Sequence, residues 1–323
     1  MRGMRIDAAP TPAPFVGALW AMLAVACFST TDVLVKFLSD GYALYEVMFI
    51  RTLFGILFLL GVILPLTRAS LRISRVWLHL ARGLCVFVAN LFFFLGLAAM
   101  PLSEATAIFF VSPLLISAFS VWFLHETVGP RRWIAIAVGL VGVVVVLRPG
   151  TEAFQAAALL PLFAATGYAL LHTITRAIGA TENATAMALT IQLTFLVISG
   201  AAGMLLGHGG YDVFDHPSAH FLLRAWTWPA TSDVWLLALL GVSSAMGGFS
   251  ISEAFRRAEA AFVAPFEYIA LPMAVFFDLT VFGVLPDTVA FAGIALILVS
   301  GLVLIWREAV ARRREVLDAP NRL

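Results

Sequence analysis

The chain has 323 residues, of which 62% are hydrophobic and only 12% are charged, and its mean hydropathy is +0.99. This composition excludes an ordinary soluble domain, which is about half apolar and a quarter charged, and it predicts that most of the chain lies in lipid. The formal net charge of +1 comes with arginines scattered at segment ends, so there is no basic face for nucleic acid. Cys27 and Cys85 lie inside apolar runs, which excludes a disulfide framework or a thiolate metal site.

Ten segments are long enough to cross about 30 Å of hydrocarbon. The first follows Arg2 and Arg5 but has no convincing cleavage site, so it reads as a membrane helix and not as a signal peptide. Turn signals such as Gly129-Pro130 separate the segments, and no separate soluble domain fits between them. The predicted spans are 15–38, 45–65, 76–99, 103–124, 131–148, 155–178, 184–206, 233–256, 260–283 and 288–306.

Residues 97–148 and 256–307 look like two copies of one segment. At a constant shift of 159, Pro113 falls on Pro272, Gly142 on Gly301 and Arg148 on Arg307. The first helix of each half matches at a second shift of 140, where Phe28 falls on Tyr168 and Lys36 on Arg176. The two shifts differ by 19, which predicts one insertion in the second half, at residues 207–232.

The basic residues predict the orientation of the chain in the membrane. With a cytoplasmic N-terminus, fifteen arginines fall on the cytoplasmic side, and only Lys36, Arg148 and Arg224 fall on the other. The remaining two, Arg51 and Arg82, lie within spans.

Each half contains five spans, an odd number, so the second half must enter the membrane with opposite polarity. The predicted fold is therefore an all-α integral membrane protein of ten transmembrane helices in two inverted five-helix repeats, with both termini cytoplasmic. Inverted repeats can exchange roles, which is the structural basis of alternating access in transporters. We divide the chain into a tail at 1–14, repeats at 15–150 and 151–306, and a basic tail at 307–323.

Several short motifs of the first half resemble the EamA-type module of the drug/metabolite transporter superfamily. They are Arg82-Gly83, residues 98–106 (AAMPLSEAT), Ser112-Pro113, Leu124-His125-Glu126 and Gly139-Leu140-Val141-Gly142. Two details depart from that pattern. His125-Glu126 replaces the Gly-Glu pair at the end of the fourth helix, and in the second half Leu285-Pro286-Asp287 lies where the corresponding glutamate would be expected. The resemblance covers residues 15–306 and implies ten helices around a central substrate cavity, with the fifth and tenth helices at the periphery. It also implies substrates such as amino acids, carboxylates, riboflavin or S-adenosylmethionine, without choosing among them.

Charged residues inside the membrane are costly, so each is expected to be paired or to face a wet cavity. In the first hairpin Asp32 is level with Arg51, and Lys36 with Glu46. These four are predicted to form an ion-pair cluster in the outer half, either static or serving as a gate or a site for a substrate headgroup. Glu104 and Asp278 lie at a similar level, where solvation would account for them.

In the inner half, Arg82 has two predicted carboxylate partners, Glu253 and Glu267. Such a pair is either permanent or a cytoplasmic gate that opens when an acid takes up a proton or substrate displaces a partner. His172 lies at a similar depth, as a packing residue or a proton relay.

The third helix carries a polar-edged stripe of five residues that is our best candidate for cavity lining: His79, Arg82, Val86, Asn90 and Phe93. The matched aromatics Phe28 and Tyr168 could sandwich a planar substrate or simply pack, and Gln192 is a weaker candidate.

Together these features predict a secondary active transporter that moves a small organic metabolite across a bacterial inner membrane. No Gly-rich Lys-Ser/Thr phosphate loop is present, and no cofactor or metal is expected. The substrate-binding candidates are Phe28, Asp32, Arg51, Arg82, Asn90, Tyr168 and Gln192; the gating or proton-coupling candidates are Lys36, Glu46, His172, Glu253 and Glu267.

Several points stay open. The expected partners are the substrate and the lipid bilayer, with protons as a further option and a monomer or homodimer as the assembly. A membrane enzyme is disfavoured because His-Glu-x-x-His and nucleophile-elbow motifs are absent, and a channel or receptor because no repeated ring of pore-lining charges is present.

Overall fold

The computed structural model describes residues 14–68, 71, 76–124, 130–149, 156–178, 184–258 and 260–318, and within these ranges every regular element is a helix. The first part of the chain forms α1 (Pro14–Leu38), α2 (Leu44–Phe58), α3 (Leu64–Thr67), α4 (Val76–Leu97), α5 (Leu102–Phe109), α6 (Ser112–Leu124) and α7 (Pro130–Leu147). The second part forms α8 (Leu159–Ile178), α9 (Ala184–Leu206), α10 (Pro217–Leu223), α11 (Thr231–Arg257), α12 (Ala260–Glu267), α13 (Ala270–Thr280) and α14 (Thr288–Asp318). A π-helical stretch, Leu59–Ile63, continues α2 into α3, and a 3₁₀ turn, Ala156–Ala158, leads into α8.

In the described part of the chain, seven helical segments are long and apolar enough to cross a membrane. They are Phe15–Leu38, Leu44–Thr67, Val76–Leu97, Leu102–Phe123, Thr185–Leu206, Thr231–Ala254 and Thr288–Arg307. The shorter apolar helices Trp133–Leu147 and Ala156–Leu171 accompany them. An all-helical chain of this kind is an integral membrane protein, because only helices satisfy their own backbone groups in lipid without closing into a barrel. The count of ten spans stays a prediction.

Small residues allow the helices to approach closely. The principal contacts join α1 to α11, α4 to α8, α7 to α14, and α2 to both α9 and α11. At the α7–α14 contact, a Cβ added to Gly142 would lie 3.0 Å from the carbonyl oxygen of Gly293, and one added to Gly293 would lie 2.9 Å from that of Gly142. The two backbones therefore touch where each helix has a glycine.

Two helices are broken at positions that match to within one residue at the shift of 159. α5 gives way to α6 at Phe110–Val111, before Pro113, and α12 gives way to α13 at Tyr268–Ile269, before Pro272. Proline has no N–H to continue the helical ladder, which favours a break in the preceding turn. The sequence predicted one continuous span at each of these places, 103–124 and 260–283.

The predicted insertion is a folded segment, residues 207–230, that we call the lid. Trp226 packs against Tyr45 and Phe49 of α2, with ring centroids 6.1 and 5.6 Å apart. The Tyr45 hydroxyl donates to the Arg224 carbonyl oxygen at 2.6 Å, and Ser218 donates to that of Leu95 on α4 at 2.7 Å. The lid therefore covers the end of the bundle where α1 and α4 terminate, which we call the lid end.

Tyr42, in the turn between α1 and α2, fastens the base of the lid. Its hydroxyl donates to Asp233 at 2.5 Å and accepts from the backbone N–H of Ala230 at 3.1 Å. Burial raises the pKa of this hydroxyl above its ordinary value, and the hydrogen bond to Asp233 raises it further.

Candidate functional site

Glu267 is the last residue of α12 and lies at the second helix break. Its half-buried carboxylate is in electrostatic range of the hydroxyls of Tyr168 on α8 and of its neighbour Tyr268. In the part of the chain that the structure describes, Glu267 has no ion pair. An uncompensated acid in the middle of a helix bundle needs a proton or a cation.

Aromatic rings of α4, α5 and α8 pack together beside the first break, and two further rings join the first break to the second. The Tyr168 ring centroid is 5.3 Å from that of Phe109, and Phe109 is 5.1 Å from Phe93 on α4. Across the bundle, Phe110 lies 4.9 Å from Tyr268. Phe109, Phe110 and Tyr168 are only half-buried, so part of each ring is available to stack on a planar ligand.

Arg51 and Asp32 form a second polar group. They are in electrostatic range of each other, as predicted from their equal depth, but no direct ion pair joins them in the described structure. The Arg51 side chain is buried and its guanidinium lies 5.1 Å from the ring centroids of both Phe94 and Phe195. Contact with two aromatic faces stabilises a guanidinium that has left water.

Lys36 and Glu46 do not pair with each other, contrary to the predicted four-residue cluster. Lys36 Nζ donates to the carbonyl oxygens of Leu97 at 2.8 Å and Met100 at 2.6 Å. Glu46 is fully buried and accepts from the lid, through the backbone N–H of Thr227 at 3.3 Å. Matching residue numbers across a hairpin gives depth in the membrane but not direction around the helix axis, and these two side chains point to different neighbours.

Asp278 was expected to be solvated, and this was wrong. It is 0% exposed, and its carboxylate accepts hydrogen bonds from the backbone N–H groups of Leu102 and Ser103 and from the Ser103 hydroxyl. Asp278 on α13 thus accepts from N–H groups at the start of α5, where the N-cap residue Pro101 makes no side-chain capping bond.

The predicted stripe on α4 is partly accessible. Arg82, Val86 and Asn90 are half-buried, whereas His79 and Phe93 are buried. Arg82 contacts the sulfur of Met187 on α9 at 3.5 Å. The Asn90 amide donates to the Val86 carbonyl oxygen of its own helix at 3.0 Å.

The remaining candidates have contacts of their own. Phe28 is 38% exposed and its ring edge lies against Gly247 on α11. Gln192 is buried against Gly55 of α2, in a helix–helix contact. The ion pair described for Glu253 is with Arg257, one turn along its own helix, at 2.9 Å. The side chain of His172 lies outside the described residues.

Sequence reasoning missed Tyr268, Phe109 and Phe110 as central residues. A signal was available, because the shift of 159 places Phe109 on Tyr268, and each stands four residues before its repeated proline. No signal in the sequence pointed to the pairing of Asp278 with Ser103, which are 175 residues apart.

Comparison with known proteins identifies the family. The EamA-like transporter family matches residues 15–148. The S-adenosylmethionine uptake transporter of Rickettsia bellii is 28% identical over 301 residues, which cover 93% of this chain and 97% of the relative. The riboflavin transporter of Rhizobium johnstonii is 30% identical over 302 residues, covering 93% and 94%.

A solved crystal structure, 20% identical, superposes with a TM-score of 0.57 over 93% of this chain and 98% of that chain, which shows a shared fold. The full-length match to the Rhizobium relative extends the family assignment beyond the first half. The protein belongs to the EamA-like transporter family of the drug/metabolite transporter superfamily, and it is a membrane transporter of a small molecule and not an enzyme.

Proposed function

We propose that the protein is a secondary active transporter that works by alternating access in a bacterial inner membrane. In this proposal ten helices form two inverted five-helix repeats, residues 15–150 and 151–306, with both termini and the tails 1–14 and 307–323 on the cytoplasmic side. The matched helix breaks before Pro113 and Pro272 support the repeat, and the arginine bias supports the orientation. The lid end would then face the periplasm.

The observation that carries the proposal is the position of Glu267. At the shift of 159 its counterpart in the first half is the buried Ile108, so the repeat puts one acid, and only one, at the paired breaks. A carboxylate in electrostatic range of Tyr168 and Tyr268, whose rings pack against Phe109 and Phe110, suits a small organic cation that carries a planar group. S-adenosylmethionine, a sulfonium with an adenine ring, fits this description, and a relative whose match covers 93% of the chain carries its name.

Riboflavin is the second candidate substrate. The Rhizobium riboflavin transporter is the 30% identical relative, and half-buried aromatic rings such as Phe109 and Tyr168 can stack on a planar neutral ring system. In that case Glu267 would serve as a proton carrier and not as the partner of a substrate charge.

The other predicted residues take supporting roles in this proposal. Phe28, Asp32, Arg51, Arg82 and Asn90 would line the route, and the burial of Gln192 against Gly55 favours a packing role beside it. Lys36 and Glu46 would act in a gate at the lid end, and Glu253 and His172 in a gate at the opposite end.

Counterflow in proteoliposomes tests both candidates. Purified protein is reconstituted with unlabelled S-adenosylmethionine or riboflavin inside, and entry of the labelled compound is measured with and without an imposed pH gradient. If the substrate is the cation, we expect Glu267→Gln to weaken apparent affinity by about 100-fold, because a buried charge loses its partner. If the substrate is riboflavin, the same variant should remove the response to the pH gradient instead.

Glu104→Gln is the matched control, because Glu104 is also half-buried but lies at the lid end, in electrostatic range of Arg148. It should leave both properties within about twofold of the parent protein. Full transport and an unchanged pH response in Glu267→Gln would exclude Glu267 from the mechanism.

A further inference from the structure

The turn between α4 and α5 is held from two sides by charged residues of other helices. From α1, Lys36 Nζ donates to the carbonyl oxygens of Leu97 and Met100 at 2.8 and 2.6 Å. From α13, Asp278 accepts from the N–H groups of Leu102 and Ser103 at 2.9 and 2.7 Å and from the Ser103 hydroxyl at 2.5 Å. One turn thus joins a helix of the first half to a helix of the second.

Each charge matches the helix end that it meets. The last carbonyls of a helix attract a cation and the first N–H groups attract an anion, and here the ammonium meets the end of α4 and the carboxylate meets the start of α5. Lys36 and Asp278 are also in electrostatic range of each other, and Lys36 lies 5.3 Å from the ring centroid of Phe282 in the turn after α13. Separating α1 or α13 from this turn would leave buried charges and backbone groups without partners.

A pocket of about 360 Å³ lies on the lid side of these contacts. Its lining includes Ser39 and Ala98, which follow Lys36 and Leu97 closely in the chain, and the lid residues His220 and Arg224. The pocket therefore lies between the lid and the turn that Lys36 and Asp278 hold.

The mirror-related turn in the other half lacks the same chemistry. At the shift of 159, Asp278 corresponds to Phe119 and Ser103 to Phe262; at the shift of 140, Lys36 corresponds to Arg176. In the sequence, phenylalanine thus stands at the positions matched to the carboxylate and the serine, while a cation is kept at the position matched to Lys36. The two conformations of an inverted repeat would not be equally stable, and closure at the lid end is favoured.

We infer that Lys36 and Asp278 form a latch that holds the lid end of the transport route closed and must release for substrate to pass. This role rests on the alternating-access function proposed above. Asp278 and Lys36 are positioning residues in it, since they act through the α4–α5 turn and not by touching substrate.

Side-specific labelling tests the latch. In a background with Cys27→Ser and Cys85→Ser, the half-buried Asn90 is replaced by cysteine as a reporter, and a membrane-impermeant maleimide is applied to whole cells or to inside-out vesicles. We expect the parent to react mainly from the side opposite the lid. Asp278→Asn and Lys36→Met should each raise labelling from the lid side by about tenfold, because several buried hydrogen bonds of the closed state are lost.

Asp287→Asn is the matched control, because it removes an acid at the same end of the bundle that pairs with Arg148 in an exposed position. It should leave labelling unchanged from both sides. Ser103→Ala removes one of the three bonds to Asp278 and should give a smaller increase. It also keeps the test available if Asp278→Asn does not fold, as judged by thermal melting in detergent.

Unchanged lid-side labelling in folded Asp278→Asn, or in folded Ser103→Ala and Lys36→Met together, would overturn the latch and leave alternating access standing. A parent protein that reacts equally from both sides would also overturn the latch, because the lid end would then be open as often as the opposite end. Absence of counterflow in the parent protein would instead overturn the proposed transport function.

Discussion

The two broken helices have the same backbone design and different chemistry. Both break in the turn before a proline, at Phe110–Val111 and at Tyr268–Ile269. Beside the first break stand Ile108 and Phe109, and at the matched positions beside the second stand Glu267 and Tyr268. The scaffold is thus repeated, while the carboxylate of Glu267 and the hydroxyl of Tyr268 come from the second half.

This difference separates residues that shape the bundle from residues that select a substrate. Positions kept in both halves, such as the prolines and Gly142 with Gly301, control how closely the helices approach. Positions that differ have been free to acquire charge. Exchanging residues between matched positions, or altering both members of a matched pair, therefore tests which residues shape the bundle and which select the substrate.

The largest effect is expected from the matched glycines. A Cβ on Gly142 would press on the Gly293 carbonyl and Ile297, and one on Gly301 would overlap the ring and hydroxyl of Tyr268. Gly142→Ala and Gly301→Ala should each destabilise the protein by about 1 to 3 kcal/mol. Only Gly301→Ala moves a residue of the central break, so it alone should also weaken apparent substrate affinity in counterflow.

Gly248→Ala is the control for this pair. It adds the same methyl group inside helix α11, where no atom lies within 4 Å, and should leave thermal melting unchanged or slightly raised. Equal transport by Gly142→Ala and Gly301→Ala at matched stability would contradict the link between Tyr268 and the site.

The composition and the repeat were sufficient to predict the helical membrane fold. A chain with many apolar segments of about 20 residues must satisfy its backbone hydrogen bonds in lipid, and helices of that length do so. Helix bounds such as Pro14–Leu38 and Ala184–Leu206 lie close to the predicted 15–38 and 184–206. α14 instead continues to Asp318, past the predicted end at 306. Hydropathy predicts where a helix leaves the apolar part of the membrane, and it does not predict where the helix ends.

The partners of the buried charges could not be predicted in the same way. Lys36 binds backbone carbonyls, and Asp278 binds backbone N–H groups. Every residue has a backbone carbonyl and nearly every residue has a backbone N–H group. The residue type therefore does not show which backbone group a charged side chain will bind. Charge matching by depth therefore placed Asp32 near Arg51 but assigned Lys36 to the wrong neighbour.

An intermediate effect is expected from exchanging the aromatics at the two breaks. The Tyr268 hydroxyl is buried, and no hydrogen-bond partner for it is found among the described residues. Tyr268→Phe places at the second break the same residue type that Phe109 has at the first. The substitution should leave the melting temperature unchanged or raise it by a few degrees, because a buried hydroxyl without a hydrogen-bond partner costs about 1 to 3 kcal/mol. Transport should fall by less than about tenfold, since the acid at Glu267 remains.

Phe109→Tyr makes the reciprocal change at the first break and should lower the melting temperature, since it adds a hydroxyl among the rings of Phe93 and Tyr168. If Tyr268→Phe abolishes transport while melting normally, the hydroxyl itself binds substrate, and the functional difference between the halves extends beyond Glu267.

The smallest effect concerns Arg148 and its counterpart Arg307. Arg148 follows the end of α7 and makes a two-bond ion pair with Asp287, whereas Arg307 lies inside α14, 5.2 Å from the ring of Trp306. The hydrogen bond from Arg148 lowers the pKa of Asp287 to about 2, and a bond from Ala290 N–H contributes further. A carboxylate whose pKa is depressed on folding stabilises the protein above its unfolded pKa of about 4, and this stabilisation disappears as the pH falls through the folded value.

Arg148→Gln should therefore lower the melting temperature slightly at pH 5 to 7, and the difference from the parent should shrink between about pH 4 and pH 2. Arg307→Gln is the matched comparison and should show no such pH dependence, because its ring contact does not titrate. The Arg148 effect should stay small because Asp287 is more than half exposed, at 57%, and salt screens such pairs. A difference between Arg148→Gln and the parent that persisted unchanged at pH 2 would mean that Arg148 acts through its neighbours in the α7–α14 contact and not through the charge on Asp287.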